Sequence, residues 1–339
     1  MASPSTAQVA RYQTLQDGID NVTLSSAPMP TPGPNEVLVK ISAVSLNYRD
    51  TEVVQGLYTY YDKPGTPIVP LVPTSDICGV VVAIGAQSDG DNAPTWKIGD
   101  RPLDGVLQTY RVFPNTGLVR APAYMTDEEA SCLPIAAVTA WMAINGMERD
   151  GAVRGRGETM VLQGIGGVSV SGLQIAKAAG AKVIIMSSSD EKLEKAKALG
   201  ADDVINYWTN PDWQDEVMKI TDGKGADVIL ETGGAETLYK SLDCIGFGGL
   251  ISCIGYVSGG EDKPNVSKPN LNVLALRRTV TLKGVINGPR DRFEEMCRFY
   301  EQQQIRPVVG RVFPFGEAKE AIKYVVSGSH FGKVVIKVE

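Results

Sequence analysis

TMVLQGIGGVSVSGLQIAKAAG, Thr159 to Gly180, is the stretch whose reading decides the fold. TMVLQ is an apolar run of strand length, and GIGGVS follows it at once. In the segment after it, Val168, Gly172, Ile175 and Ala179 fall on one face at helical spacing, and Gly180 supplies a C-terminal stop. A strand running into Gly164-Ile165-Gly166-Gly167-Val168-Ser169 and then a helix is the arrangement that receives a dinucleotide. Gly164 permits the tight turn and Gly166 lets the backbone approach a pyrophosphate. The helix N-terminus adds N–H donors and positive dipole. Ser169 stands at the third glycine position and is small enough to keep the helix close to the strand. A glycine-rich loop alone carries little weight; its strand–helix setting carries the expectation.

That setting continues downstream. KVIIM (Lys182 to Met186), DVI (Asp203 to Ile205), ADVILE (Ala226 to Glu231), GLISCI (Gly249 to Ile254) and VTLKGV (Val280 to Val285) are short apolar runs, most of them separated by helix-compatible segments. The alternation predicts right-handed βαβ units and an α/β, doubly wound, mainly parallel Rossmann sheet. Which dinucleotide it takes depends on the end of the second strand. An NAD-type site wants a carboxylate there for the ribose hydroxyls. Here the run is Ser187, Ser188, Ser189, with Lys192 one turn into the next helix and Tyr207 after the third strand. Hydroxyls and an ammonium suit a 2′-phosphate, so we expect NADPH. Two other readings remain: the serines serve only as helix caps beside a solvated lysine, or Asp190, about three residues late, is the ribose acid.

Before Pro122 the texture changes. Glu36 to Ser45 alternates in a period of two, Val80 to Ile84 is β-branched, and prolines and glycines punctuate the rest. This predicts a β-rich domain of short strands. The terminal GKVVIKVE reads as a strand suited to return to that domain after the helix AKEAIKYVVSG. With 339 residues the chain has room for two domains. We place 1–130 and 306–339 in the β-rich domain and 131–305 in the dinucleotide domain.

Composition excludes several functions. Net charge is -6, with no basic run longer than Arg277-Arg278, which argues against nucleic acid. No apolar stretch reaches bilayer length and the first residues lack a signal-type apolar segment, so we expect a soluble cytoplasmic protein. The five cysteines are scattered without a C-x-x-C, as in a reducing compartment. His330 is the only histidine, so no two-histidine metal site can form.

LNYRD (Leu46 to Asp50), DICGVVVAIG (Asp76 to Gly85), LPIAAVTAW (Leu133 to Trp141), QGIGGVS, SSSDEKLEKAKALGADDVINY and HFGKVVI (His330 to Ile336) together resemble the medium-chain dehydrogenase/reductase superfamily, and within it the zinc-free quinone oxidoreductase group. The resemblance implies a β-rich catalytic domain like a chaperonin-10 barrel, a Rossmann domain, an active-site cleft between them, and a homodimer. Zinc-containing alcohol dehydrogenases of the superfamily bind their metal through Cys, His and Cys; by motif position those sites are Asn47, Ser75 and Ile135 here. Isoleucine cannot ligate, and no cysteine cluster follows Asp89, so we expect no zinc. We take Cys78 and Cys132 for small buried hydrophobes.

Without a Lewis acid, the chemistry that suits the site is hydride addition to the β-carbon of a conjugated carbonyl, whose enolate oxygen hydrogen-bond donors can stabilise. Asn47 and Tyr48 lie where the resemblance puts the catalytic centre. Tyr58, Tyr60 and Tyr61 either frame the substrate or pack as wall. The resemblance also puts Thr139, Gly233, Ile254, Gly255, Tyr256, Asn287, Gly288, Phe331 and Lys333 at the cofactor. Pro289 departs from the family's flexible run there. We read His330 as structural. The leading expectation is an NADPH-dependent reductase of an activated alkene or quinone acting on a small molecule. The alternatives are a zinc-free carbonyl or alcohol oxidoreductase of a biosynthetic pathway, and an NADPH-binding protein without turnover.

Overall fold

The computed structural model describes residues 8–58, 69–86, 106–147, 153–259 and 270–338. The chain divides into two compact units: Met1–Ile135, Pro289–Gln302 and Arg306–Glu339 in the first, Ala136–Gly288 and Gln303–Ile305 in the second.

The first unit opens with β1 (Gln8–Gln13) and β2 (Thr23–Pro28), an antiparallel pair. The long β3 (Glu36–Leu46) leads into helix α1 (Tyr48–Val54), then β4 (Asp76–Ile84), β5 (Tyr110–Pro114) and α2 (Asp127–Ser131). β3 runs antiparallel to both β4 and β5. The period of two in β3 changes phase part-way. Val37, Val39 and Ile41 point into the main core, but beyond the bulge between Ile41 and Ala43 the core residues are Val44 and Leu46. One extra residue in a strand turns every later side chain over. The bulge thereby sends Ala43 to a second small core with Cys132 and Val335.

The second unit carries α3 (Val138–Asn145), β6 (Thr159–Gln163), α4 (Gly167–Ala178), β7 (Lys182–Ser187), α5 (Asp190–Ala198), β8 (Asp203–Asn206), α6 (Trp213–Ile220), β9 (Ala226–Glu231), α7 (Leu238–Cys244), β10 (Ile245–Cys253), α8 (Leu271–Arg277) and β11 (Thr281–Gly284). Its sheet has the strand order β11-β10-β9-β6-β7-β8, with parallel pairing throughout. The order reverses between β6 and β9, and a doubly wound sheet receives its ligand at the carboxyl ends of the strands flanking such a reversal. Strands β6, β7 and β9 are buried along almost their whole length, as parallel strands covered on both faces should be.

The chain then returns to the first unit through α9 (Arg290–Gln303), β12 (Val309–Pro314), α10 (Ala318–Val326) and β13 (Lys333–Lys337). β13 pairs antiparallel with the last residues of β3, Val334 opposite Leu46 and Lys337 opposite Ala43. We assigned 131–305 to the dinucleotide domain; Pro289–Gln302 groups instead with the first unit. Tyr124 donates its hydroxyl to the Tyr300 carbonyl at 2.9 Å and Arg290 reaches the Thr116 carbonyl at 3.2 Å. Pro289 itself starts this helix, its carbonyl accepting from Phe293 N–H at 3.0 Å. Helix starts tolerate proline because no intrahelical N–H is needed there.

Candidate functional site

In the first unit the chemistry gathers where β3 ends and β13 begins. Lys333, the first residue of β13, is 4% exposed. Its Nζ donates to the Leu46 carbonyl at 2.7 Å and to Asn47 Oδ1 at 2.6 Å, and Asp76 Oδ2 lies 3.6 Å away. Ser45 and Ser75 donate to the two oxygens of Asp76 at 3.4 and 3.3 Å. The β3 bulge makes this possible, since it turns Ser45 to the side of Ala43, Cys132 and Ser131; its single proton is shared between Asp76 and the nearer Ser131 carbonyl at 2.8 Å. Asn47 is held at its backbone as well: its N–H donates to Asp50 Oδ2 at 2.8 Å. Burial pushes the Asp50 carboxyl up to about 6, against the opposing pull of Arg49.

Asn47 and Lys333, expected in separate roles, are in direct contact. With Oδ1 turned to the ammonium, Asn47 Nδ2 is buried and has no acceptor among the described residues. Tyr48 is 50% exposed at the first position of α1, and Tyr58 lies under the Arg49 guanidinium, 4.7 Å from ring centroid to charge. Tyr60 and Tyr61 fall outside the described residues. Ser75, at a position where the superfamily's zinc enzymes carry a ligand, uses its hydroxyl on Asp76. Cys132 is buried as expected, but Cys78 is only partly so and donates its thiol toward Asp127 at 3.5 Å. Burial pushes both thiols up to about 12, so neither is a thiolate at neutral pH. His330 packs edge-on toward Tyr324, and the Phe331 carbonyl closes against Gly310.

In the second unit two loops meet at the β6/β9 reversal. After β6, Gly164 takes φ +77° and α4 starts from Gly166 with no side-chain cap, so its first-turn donors in Gly167 and Val168 are left to a ligand or solvent. Ser169, in the third glycine position, ties the helix to the strand by donating to the Gln163 carbonyl at 2.6 Å. One turn later the helix packs tightly at Gly172, where a Cβ would meet the Leu230 side chain at 3.0 Å.

Beneath both loops lies a polar knot. Glu231, 1% exposed at the end of β9, accepts on Oε1 from Gly233 N–H and Gly234 N–H at 3.0 Å each and from Thr237 Oγ1. On Oε2 it accepts from Gln163 Nε2 at 2.6 Å and from Ser241 Oγ. Gln163, the residue before Gly164, uses its Oε1 on Thr232 and Gly233 N–H at 3.0 and 3.1 Å, and its second amide proton on Ser241 at 2.9 Å. The loop after β10 is laced to the same place, Ile254 N–H on the Glu231 carbonyl at 2.8 Å and Ser258 N–H on the Gly233 carbonyl at 2.8 Å. Gly255 and Gly234 allow the close approach, since a Cβ on either would come within 2.9 Å of Thr232 O or 2.7 Å of Tyr256 Cα. Gly233, Ile254, Gly255 and Tyr256 are therefore one construction.

The serines after β7 are partly spent on local structure. Ser189 caps α5 through Lys192 N–H, and Ser187 Oγ accepts from Ser189 N–H at 3.2 Å. Ser188 is exposed, and Asp190 is engaged by the Asn206 amide at 2.6 Å. Partial burial and neighbouring Lys195 hold the Lys192 ammonium below the usual lysine range. Tyr207 joins this corner by its backbone, donating to the Ser187 carbonyl at 3.0 Å.

A nicotinamide nucleotide fits these residues on one further observation. Thr139 Oγ1, in a residue 2% exposed, and Asn287 Oδ1 are buried polar atoms with no partner among the described residues. Gly288 is pressed onto α3, where a Cβ would stand 2.6 Å from Val138 and 2.7 Å from Met142, so the Asn287 turn lies against the helix that carries Thr139. A carboxamide offers the complement, an oxygen for the hydroxyl and an NH2 for the amide oxygen.

The alcohol dehydrogenase GroES-like domain family matches residues 33–154, and the zinc-binding dehydrogenase family matches 167–302. A zinc-type alcohol dehydrogenase-like protein of Schizosaccharomyces pombe is 40% identical over 326 residues, covering 90% of this chain and 92% of the relative. The chain belongs to the medium-chain dehydrogenase/reductase superfamily. It is an oxidoreductase-type member of that superfamily. A 2-haloacrylate reductase of Burkholderia sp is 27% identical, covering 94% of this chain and 96% of its own. The crystal structure of an NAD-dependent alcohol dehydrogenase superposes with a TM-score of 0.82 at 30% identity, covering 98% of this chain and 100% of that one. The strand–glycine–helix setting pointed to the Gly164 loop and the superfamily resemblance to Asn47, but neither pointed to Gln163, Glu231, Thr237 and Ser241. The signal was present: TMVLQ and ADVILE are apolar strands that each end on one large polar residue at the ligand end of the sheet.

Proposed function

We propose that the protein is an NADPH-dependent reductase of a conjugated C=C or quinone that works without a metal. The observation that carries this is Asn47 Nδ2, a buried N–H donor with no acceptor among the described residues, standing at the motif position where zinc relatives carry a cysteine ligand. When bound, the dinucleotide supplies hydride. The chain's own residues do the rest. The uncapped α4 N-terminus would hold the pyrophosphate, above the loop that Glu231 anchors, while Thr139 and Asn287 would orient the carboxamide. Asn47 donates to the substrate oxygen as it gains enolate charge, a donor interaction worth about a hundredfold in rate. Tyr48, being exposed, is placed to exchange a proton with solvent.

Ser188 and Lys192 support NADPH, because Asp190 is occupied by Asn206. Lys192→Ala is expected to lower kcat/KM for NADPH roughly tenfold, the scale of one charge-assisted contact, with little change for NADH. Equal losses with both cofactors would remove the 2′-phosphate role. The likeness to an NAD-dependent alcohol dehydrogenase favours a second reading, a carbonyl or alcohol oxidoreductase.

The deciding experiment follows NADPH oxidation by absorbance with cyclohex-2-enone, 1,4-naphthoquinone and cyclohexanone, each with and without EDTA. Chelator-insensitive turnover of the first two, with a saturated C–C product from the enone, is the expected result. Turnover of cyclohexanone, or loss of activity in chelator, would move the assignment to the second reading.

A further inference from the structure

We infer that Lys333 is a positioning residue for catalysis: its ammonium locks the Asn47 amide in one orientation and polarises the N–H that faces the reacting oxygen. This rests on the reading of Asn47 as the oxyanion donor. An asparagine amide can present either its oxygen or its nitrogen, and rotating it interchanges donor and acceptor. An ammonium has three protons and no lone pair, so the 2.6 Å contact from Lys333 Nζ requires the amide oxygen there. Rotation would set NH2 against NH3+ in a buried place. Nδ2 is therefore the end left for a ligand, in agreement with its lack of an acceptor among the described residues.

The contact also changes the donor's strength. Hydrogen bonds that involve a charged partner are the strong ones, and a bond to the amide oxygen draws electron density from the nitrogen. A positive charge thus stands one amide group behind the oxygen that becomes negative. Asp76, held by Ser45 and Ser75, keeps the buried ammonium compensated while the site is empty of charge. The resemblance gave Lys333 to the cofactor. Here two of its protons go to Leu46 O and Asn47 Oδ1, and the ammonium is 4% exposed with the Asp76 carboxylate 3.6 Å away, so its charge is directed to this corner.

The test is a double-mutant cycle on the full chain, with NADPH and cyclohex-2-enone. Asn47→Ala and Lys333→Met are each expected to lower kcat about a hundredfold while KM for NADPH stays within about twofold. The double variant is expected to be no slower than Asn47→Ala, because Lys333 acts only through Asn47. As Lys333→Met strands the Asp76 carboxylate, Lys333→Met with Asp76→Asn is measured against Asp76→Asn alone, and thermal unfolding confirms that each variant is folded. Losses that multiply in the double variant would overturn the inference, as would a raised KM for NADPH at unchanged kcat, which would return Lys333 to the cofactor. Normal activity in Asn47→Ala would defeat the oxyanion reading itself; a slow Asn47→Ala beside a normal Lys333→Met would defeat this inference alone.

Discussion

Glu231→Ala is expected to destabilise the protein by roughly 3 kcal/mol or more and to remove measurable dinucleotide binding. The carboxylate is buried and accepts from Gly233 N–H, Gly234 N–H, Thr237, Ser241 and Gln163. Truncation leaves all of these donors facing one cavity. The two backbone amides belong to the loop after β9, and Gln163 precedes Gly164, so both loops at the sheet reversal lose their common anchor. Glu231→Gln is the sharper variant, because shape is kept and one acceptor becomes a donor. If the new amide turns its oxygen to Gly233 and Gly234, its NH2 meets Gln163 Nε2. Gln163 cannot rotate in reply, since its own oxygen serves Thr232 and Gly233. Donor opposes donor in every arrangement that leaves the loops in place. Differential scanning calorimetry and NADPH titration calorimetry read the two effects. Wild-type values in Glu231→Ala would mean that water replaces the carboxylate without cost, and the knot would lose its role.

The fold of the second unit was legible because parallel strands buried on both faces must be written as apolar runs, and the centres of ADVILE and TMVLQ are such runs. The β-rich unit was less so. The alternation of β3 gives no warning that its phase slips beyond Ile41, because a bulge depends on partner strands far away in sequence. That same slip brings Ser45 and Lys333 to one side, so the Lys333–Asn47 contact, 286 residues apart, had no local signature. The serines after β7 show the opposite case. A hydroxyl that suits a 2′-phosphate suits an N-cap equally well, and Ser189 is used as the cap. The segment Pro289–Gln302 packs with the first unit, and no residue in it announces this, because a helix carries no mark of the unit it packs against.

Asp50 should make the protein lose stability as pH rises from about 4 to about 6. Its carboxyl is buried beside Asp76, and burial raises it from 3.8 to about 6, with Arg49 and Lys333 opposing. A raised acid keeps its proton in the folded state where the unfolded chain has already released it. Between those two values the folded state binds more protons, so the unfolding free energy falls with pH. Above about 6 the folded state carries a buried charge at a cost of up to about 3 kcal/mol. Asp50→Asn removes that charge and keeps an oxygen for the Asn47 N–H, which now donates to Asp50 at 2.8 Å. Its amino group must then turn toward Arg49, whose present contact is long at 3.4 Å and partly solvated, so little is lost there. Urea unfolding at pH 8 is expected to show the variant more stable than wild type by about 1–2 kcal/mol. At pH 4.5 the advantage should be gone. A variant that is less stable than wild type at pH 8 would mean that the ionised carboxylate, through Asn47 and Arg49, stabilises this corner of the site more than its burial costs.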